Sequence, residues 1–195
     1  MKIVFATNNF NKLKEIKVLM PKKIDIISLE QIGCHDNIPE TGKKLEENAL
    51  EKARYLSNNY GFDCFADDSG LEIDELNGAP GVYSARYAGP ERNSHANMEK
   101  VLKKMAGKFN RKAKFRTSIA LILNNKEYMF EGKVEGRIGY TKNGNEGFGY
   151  DPIFYPENSN RSFAQMSLEE KGQISHRARA VKKLVNFISS LYQFD

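Results

Sequence analysis

The chain has 195 residues, 40% of them hydrophobic, and 30 Lys and Arg against 25 Asp and Glu give a formal net charge of +5. This composition supports a buried core and argues against disorder, while no apolar run approaches the ~18 residues of a membrane span. Cys34 and Cys64 are the two cysteines, far apart and without neighbours at metal-ligand spacing, so neither a disulfide framework nor a zinc site is favoured.

The opening MKIVFATNNF carries no leader pattern and enters a strand at once, which points to a cytoplasmic protein with no membrane partner. Lys2 to Thr7 is apolar and β-branched and reads as a buried strand. Thr7, Asn8, Asn9, Phe10, Asn11 and Lys12 then form a polar loop into a helix from about Asn11 to Met20, with Leu13, Ile16 and Met20 on one side and Pro21 as the stop. A strand, a polar loop and a helix start make an anion site, because the first helical N–H groups lack internal partners. Lys12 adds a charged donor at that mouth, although Asn9 or Asn11 can equally serve as a cap alone.

Ile24 to Leu29 reads as a second strand, followed by an irregular link through Gly33 and Pro39. Residues 40–61, ETGKKLEENALEKARYLSNNYG, form the strongest helix pattern, with Thr41 as cap, Leu45, Ala49, Ala53, Leu56 and Tyr60 on one face, and Gly61 as stop. Lys52 lies on that face and either snorkels or meets an anion. Glu40 is either a helix-dipole partner or a metal ligand.

The run FADDSGLEIDELNGAPGVYSARYAG organises the middle of the chain. Cys64, Phe65 and Ala66 read as the end of a buried strand, which puts Asp67 and Asp68 where ligands of open α/β sheets bind. Side chains alternate along an extended chain, so one carboxylate enters the site, expected to be Asp68, and the other braces a turn carried by Ser69 and Gly70. The same Asp-Ser-Gly triplet also describes an ordinary solvated turn. Asn77, Gly78, Ala79, Pro80 and Gly81 mark a second turn, and the aperiodic Tyr83 to Gly89 fits a functional segment.

Asn93 to Met105 reads as an amphipathic helix carrying Met98, Val101, Leu102 and Met105, with His95 on its surface. Lys114 to Leu123 and Glu127 to Ile138 form a long hairpin turning at residues 124–126, so the sheet is mixed rather than purely parallel. In NGNEGFGYDPIFYP, Gly144, Gly147 and Gly149 match neither a dinucleotide fingerprint nor a P-loop. Phe148, Gly149 and Tyr150 nonetheless suit a flat base, and Asp151 before Pro152 is expected to be extended. A loop with packed aromatics explains the same run. Ser167 to Ser175, with Lys171, leads to a last helix whose buried face is Val181, Leu184, Val185, Ile188 and Leu191. His176 and Arg177 sit at its start, capped by Ser175, where the helix dipole disfavours cations, so a bare structural role explains them poorly.

One acidic centre, cations at separate mouths and a flat aromatic slot together suit a nucleoside triphosphate with a divalent metal. The chain resembles the inosine triphosphate pyrophosphatase family in TNNFNK, ETGKKLEENALEKA, ADDSGLEIDELNGAPGVYSARYAG, GFGYDPIF and SHRARA, in the family's order and along essentially its whole length. Pro39 departs from members with a second acidic residue before Glu40. The resemblance implies a single α/β domain over residues 1–195, with an elongated mixed β-sheet flanked by helices and two lobes around a central substrate cleft, usually as a homodimer. It implies hydrolysis of ITP, dITP and XTP to the monophosphate and pyrophosphate with Mg2+. In that reading Asp68 is catalytic and, with Glu40, metal-binding; Asn9, Lys12, Lys52 and Lys171 hold phosphates; Ser69 contacts substrate; and Phe148 to Asp151 with His176 and Arg177 hold the base. Two other readings stand beside it: an aspartic-type hydrolase built on Asp68, Ser69 and Gly70, and a basic nucleic-acid-binding module. The first needs a second such triplet, and the second leaves the acidic centre unexplained.

Overall fold

Alternation of side chains along three strands decides how the first of two compact units is built. The computed structural model describes residues 1–192, and this unit comprises Met1–Asp68, Thr117–Gly132 and residues 177–192. It contains β1 (Lys2–Phe5), β2 (Asp25–Ile27), the start of β3 (Cys64–Ile73), the end of β4 (Lys112–Leu123) and the start of β5 (Lys126–Ile138). β1 pairs in parallel with β2, Ile3 opposite Ile26, and with β3, Phe5 opposite Phe65.

In β1, β3 and β4 odd-numbered residues face one way and even-numbered residues the other. Ile3 and Phe5, Phe65, and Ile119, Leu121 and Leu123 share a cluster with Ile16 of α1 (Phe10–Leu19) and Val181, Leu184 and Ile188 of α5 (His176–Tyr192). Val4 and Ala6, Cys64 and Ala66, and Ala120 and Ile122 share another with Ala49, Ala53 and Leu56 of α2 (Leu45–Tyr60). The small residues Ala49 and Ala53 let α2 lie close on its face of the sheet, while α1 and α5 cover the other.

Local chemistry sets the helix ends. Asn9 caps α1, its side chain accepting from the Lys12 N–H at 3.1 Å, and Gly61 ends α2 with φ 72, a left-handed geometry that glycine adopts without a Cβ penalty. Thr41 does not cap α2, contrary to expectation. The helix starts at Leu45, and the Thr41 N–H and hydroxyl both donate to the Glu51 carboxylate, at 2.7 and 2.8 Å. Leu191, expected in the buried face of α5, is 50% exposed.

The second unit comprises Ser69–Arg116 and Lys133–His176. Leu71 and Ile73 of β3, Phe115 of β4 and Val134 and Ile138 of β5 form its core with Met98 and Val101 of α3 (Ser94–Lys104), Ile153, Phe163 and Phe154 of β6 (Phe154–Pro156). β6 is antiparallel to β5, with Ile138 opposite Phe154. The six strands form one mixed sheet in the order β2-β1-β3-β4-β5-β6. α4 (Leu168–Ile174) begins with a capping box between Ser167 and Glu170. Among the described residues, no helix is long and apolar enough to cross a membrane.

Two further expectations need correction. The strand does not leave the sheet at the aspartates: β3 runs on through Asp67, Asp68, Ser69 and Gly70 to Ile73. Gly70 serves a close approach and not a turn, since a Cβ there would stand 2.5 Å from the Gly81 carbonyl oxygen. Asp151 is not extended; it opens a 3-10 turn, Asp151–Ile153, in which Pro152 is tolerated because early helical N–H groups have no internal acceptor. Because backbone cannot retreat as a flexible side chain can, Gly70→Ala should lower stability by about 1–3 kcal/mol in urea unfolding. An unchanged midpoint would show that β3 and the Gly81 segment part without cost.

Candidate functional site

The alternation that orders the core also separates the two aspartates. Asp67, an odd-numbered position, turns toward α1 and α5, and Asp68 turns toward α2. Asp67 is fully buried. Its Oδ1 accepts from Lys12 Nζ at 2.9 Å and its Oδ2 from Arg177 Nε at 3.1 Å, while its backbone carbonyl accepts from Lys52 Nζ at 2.7 Å. Arg177 also donates from Nη1 to Glu15, three residues beyond Lys12 on α1. The cation at the start of α5 is thereby matched by two carboxylates from β3 and α1.

Asp68 accepts from Asn48 Nδ2 at 2.9 Å. Lys52, expected either to snorkel or to meet an anion, is buried and pairs with Glu40 Oε1 at 2.6 Å. Burial alone would raise the Asp67 carboxyl, but the charges of Lys12, Arg177 and Lys52 hold it well below the usual carboxylate range. In Asp68 burial wins: its carboxyl lies above the ordinary value despite Lys52, Lys12 and Asn48, and the Glu40 charge pushes it further up. Burial lowers Lys12; it would also lower Lys52, but the Asp68, Glu40 and Asp67 charges raise that amine instead.

Upstream, Thr7 Oγ1 accepts from the Asn9 N–H at 3.2 Å, and Asn8 Nδ2 donates to the Asp36 carbonyl at 3.2 Å. Phe10 stands 75% exposed, beside an exposed Asn11. The loop is thus shaped by its own side chains next to the first turn of α1.

Glu40 and Asp68 offer hard oxygen donors whose mutual repulsion a divalent cation would relieve. Among the described residues no group of three or more His, Cys, Asp or Glu side chains is placed to enclose a metal. Two carboxylates suffice for a cation that keeps several waters and takes its other ligands from phosphate, which is how Mg2+ is commonly held. The donor set fits that ion.

In the second unit, Lys171 Nζ meets Asp151 Oδ2 at 2.5 Å and lies 5.0 Å from the Phe148 ring centroid. The same carboxylate oxygen accepts from the Phe148 N–H at 2.8 Å, so Asp151 ties the lysine to the aromatic loop. His176 is buried and stacks on Phe115, with centroids 4.6 Å apart and planes at 11°. Gly149, with φ 64, bends the loop between Phe148 and Tyr150. Tyr150, expected to face a base together with Phe148, is instead packed in the core, its hydroxyl donating to the Ser84 carbonyl at 2.8 Å.

Lys12, Lys52, Asp67, Asp68, Glu40 and Arg177 therefore gather in the first unit. Lys171, expected among the phosphate ligands, pairs with Asp151 beside Phe148 in the second, and Arg177, expected at the base, pairs with Asp67 and Glu15 in the first. Sequence reading missed Glu15, the anchoring role of Asp67 and the contact of Asn48. The three-residue spacing from Lys12 to Glu15 on one helix was the signal available for the first of these.

Fold and site define a mixed α/β protein with one buried and one half-buried lysine among Asp67, Asp68 and Glu40, suited to a phosphorylated ligand. A Ham1 family profile matches residues 3–187. Among relatives, a dITP/XTP pyrophosphatase of Flavobacterium psychrophilum is 53% identical over 97% of this chain and 100% of its own length. One of Porphyromonas gingivalis is 50% identical over 96% and 97%. The solved structure of the Staphylococcus aureus Ham1 protein superposes with a TM-score of 0.88 at 40% identity, covering 97% of this chain and 99% of that one. The chain belongs to the Ham1 family.

Because the folded Asp67 carboxyl titrates below its ordinary 3.8, its stabilising contribution is complete above that pH and fades as pH falls through the folded value. Asp67→Asn leaves Lys12 and Arg177 underpaired and should cost about 3–5 kcal/mol at neutral pH. The gap from wild type should hold from pH 7 to about pH 5 and narrow as pH falls below 3.8. Urea melts from pH 7 to about pH 2 check this, and a gap that widens in acid would refute it.

Proposed function

We propose that this chain hydrolyses non-standard purine nucleoside triphosphates, ITP, dITP and XTP, to the monophosphate and pyrophosphate. The observation that carries the reading is the Asp68 carboxylate, held by the Asn48 amide and grouped in the first unit with Lys12, Lys52 and Glu40, surroundings that leave its proton affinity raised. The relatives named as dITP/XTP pyrophosphatases support the choice of substrate.

In this reading Asp68 takes a proton from the attacking water as its oxygen bonds to the α phosphorus and the bond to the bridging oxygen breaks. A general base works best when its proton affinity approaches the working pH, and burial moves Asp68 in that direction. Lys12 and Lys52, with Thr7, Asn8, Asn9, Phe10 and Asn11 shaping the α1 loop, bind the triphosphate, and Ser69 contacts it next to Asp68. Glu40 and Asp68 would hold Mg2+, which supplies neutralisation of phosphate charge as pyrophosphate leaves. Phe148 lies against the base, while Gly149, Tyr150, Asp151 and His176 build the wall behind it. Lys171, steadied by Asp151, donates to the 6-oxo group that hypoxanthine and xanthine present where adenine has an amino donor. Arg177 braces Lys12 through Asp67.

The cations of the centre are buried rather than arrayed along an exposed stripe, which favours a small nucleotide over nucleic acid. A homodimer and a cytoplasmic location complete the proposal and rest on the family resemblance.

Pyrophosphate release from ITP, dITP, XTP, ATP and GTP, with and without Mg2+, tests the reading. Release should be metal-dependent and confined to the first three substrates. Asp68→Asn should lower kcat by at least about 10²-fold with the melting temperature preserved. Equal turnover of ATP, or a near-normal rate in Asp68→Asn, would overturn the specificity or the assignment of the base respectively.

A further inference from the structure

Asn48 belongs to no part of the reaction as described, yet it is one of the most deeply buried polar side chains of the first unit, 1% exposed. Its amide carbonyl accepts from the Gly42 N–H at 2.7 Å, and its amide nitrogen donates to Asp68 Oδ2 at 2.9 Å. The orientation follows from chemistry: a backbone N–H needs an acceptor, so the NH2 end must face the carboxylate. Gly42 makes this approach possible, because a Cβ there would stand 2.6 Å from Glu47 Cβ and 2.8 Å from Asn48 Oδ1. The segment before α2 is held on the helix at further points: Thr41 on Glu51, the Lys43 N–H on Glu47 at 2.7 Å, and Glu40 on Lys52.

We propose that Asn48 is a positioning residue that fixes the rotation of the Asp68 carboxylate against α2 and couples it to the loop carrying Glu40. The inference rests on the pyrophosphatase reading above. One oxygen of Asp68 is pinned by a neutral donor, which sets the direction in which the other oxygen points without adding a charge that would compete for phosphate. Through Gly42 the same side chain sets the distance between the loop and β3, so the two carboxylates keep a constant geometry as substrate enters.

Asn48→Asp separates the two bonds, since its oxygens still accept from Gly42 while the donor to Asp68 is lost. Asn48→Ser shortens the side chain without introducing charge and serves if the aspartate variant folds poorly. Glu51→Ala releases Thr41 and loosens the same loop without touching Asp68. With ITP as substrate, kcat of Asn48→Asp and Asn48→Ser should fall about 10- to 100-fold, the scale on which groups that orient reacting residues act. KM of the uncharged Asn48→Ser should stay within about threefold of wild type, since that change adds no charge to the site, and Glu51→Ala should keep kcat within about twofold, since it leaves the Asn48 contact with Asp68 in place. A kcat in both Asn48 variants within twofold of wild type, or a matched loss in Glu51→Ala, would overturn the proposal while leaving the activity standing. An inactive wild-type chain would remove the pyrophosphatase reading and this inference with it.

Discussion

Two adjacent carboxylates on a strand that does not stop are the constraint on which the site depends. Because β3 stays extended through Asp67 and Asp68, their side chains must take opposite faces of the sheet. Asp67 meets the positive residues of α1 and α5, and Asp68 meets the amide of α2. One sequence dipeptide thereby supplies a fixed anion that organises cations on one face and a carboxyl of raised proton affinity on the other.

Such a centre is costly to assemble, since desolvating each ion costs several kcal/mol unless hydrogen bonds replace its water. The structure meets that cost with pairing: Asp67 takes Lys12, Arg177 and, through its carbonyl, Lys52, and Arg177 takes Glu15 as well. The opposite displacement of the two carboxyl groups follows directly. Asp67 is held down by the surrounding positive charge of Lys12, Arg177 and Lys52, whereas for Asp68 desolvation, with a small push from Glu40, outweighs Lys52, Lys12 and the Asn48 donor.

Much of this was legible in the sequence because it depends on short-range periodicity. The strand alternation, the stripe on α2, the Gly61 stop, the Asn9 cap and the mixed sheet all follow from residue spacing. The errors arose where a distant partner outweighed local chemistry. Ser69 and Gly70 look like a turn, but Gly70 answers to the Gly81 carbonyl eleven positions on. Thr41 looks like a cap, but Glu51 of the next turns of α2 takes both its donors. Phe148 and Tyr150 look alike in sequence, and only the Ser84 carbonyl, reached through the fold, commits Tyr150 to the core. The partners of Arg177 and Lys171 were likewise invisible, because ion pairing between segments 110 and 20 positions apart leaves no spacing signal.

The central claim is that neighbouring aspartates on one strand have opposite proton affinities. A 13C NMR titration of their side-chain carboxyl groups in the ligand-free protein measures it directly. Asp68 should titrate above the ordinary 3.8 and Asp67 below it. Titration of both at the ordinary value, or in the reverse order, would contradict the division of labour on which this account is built.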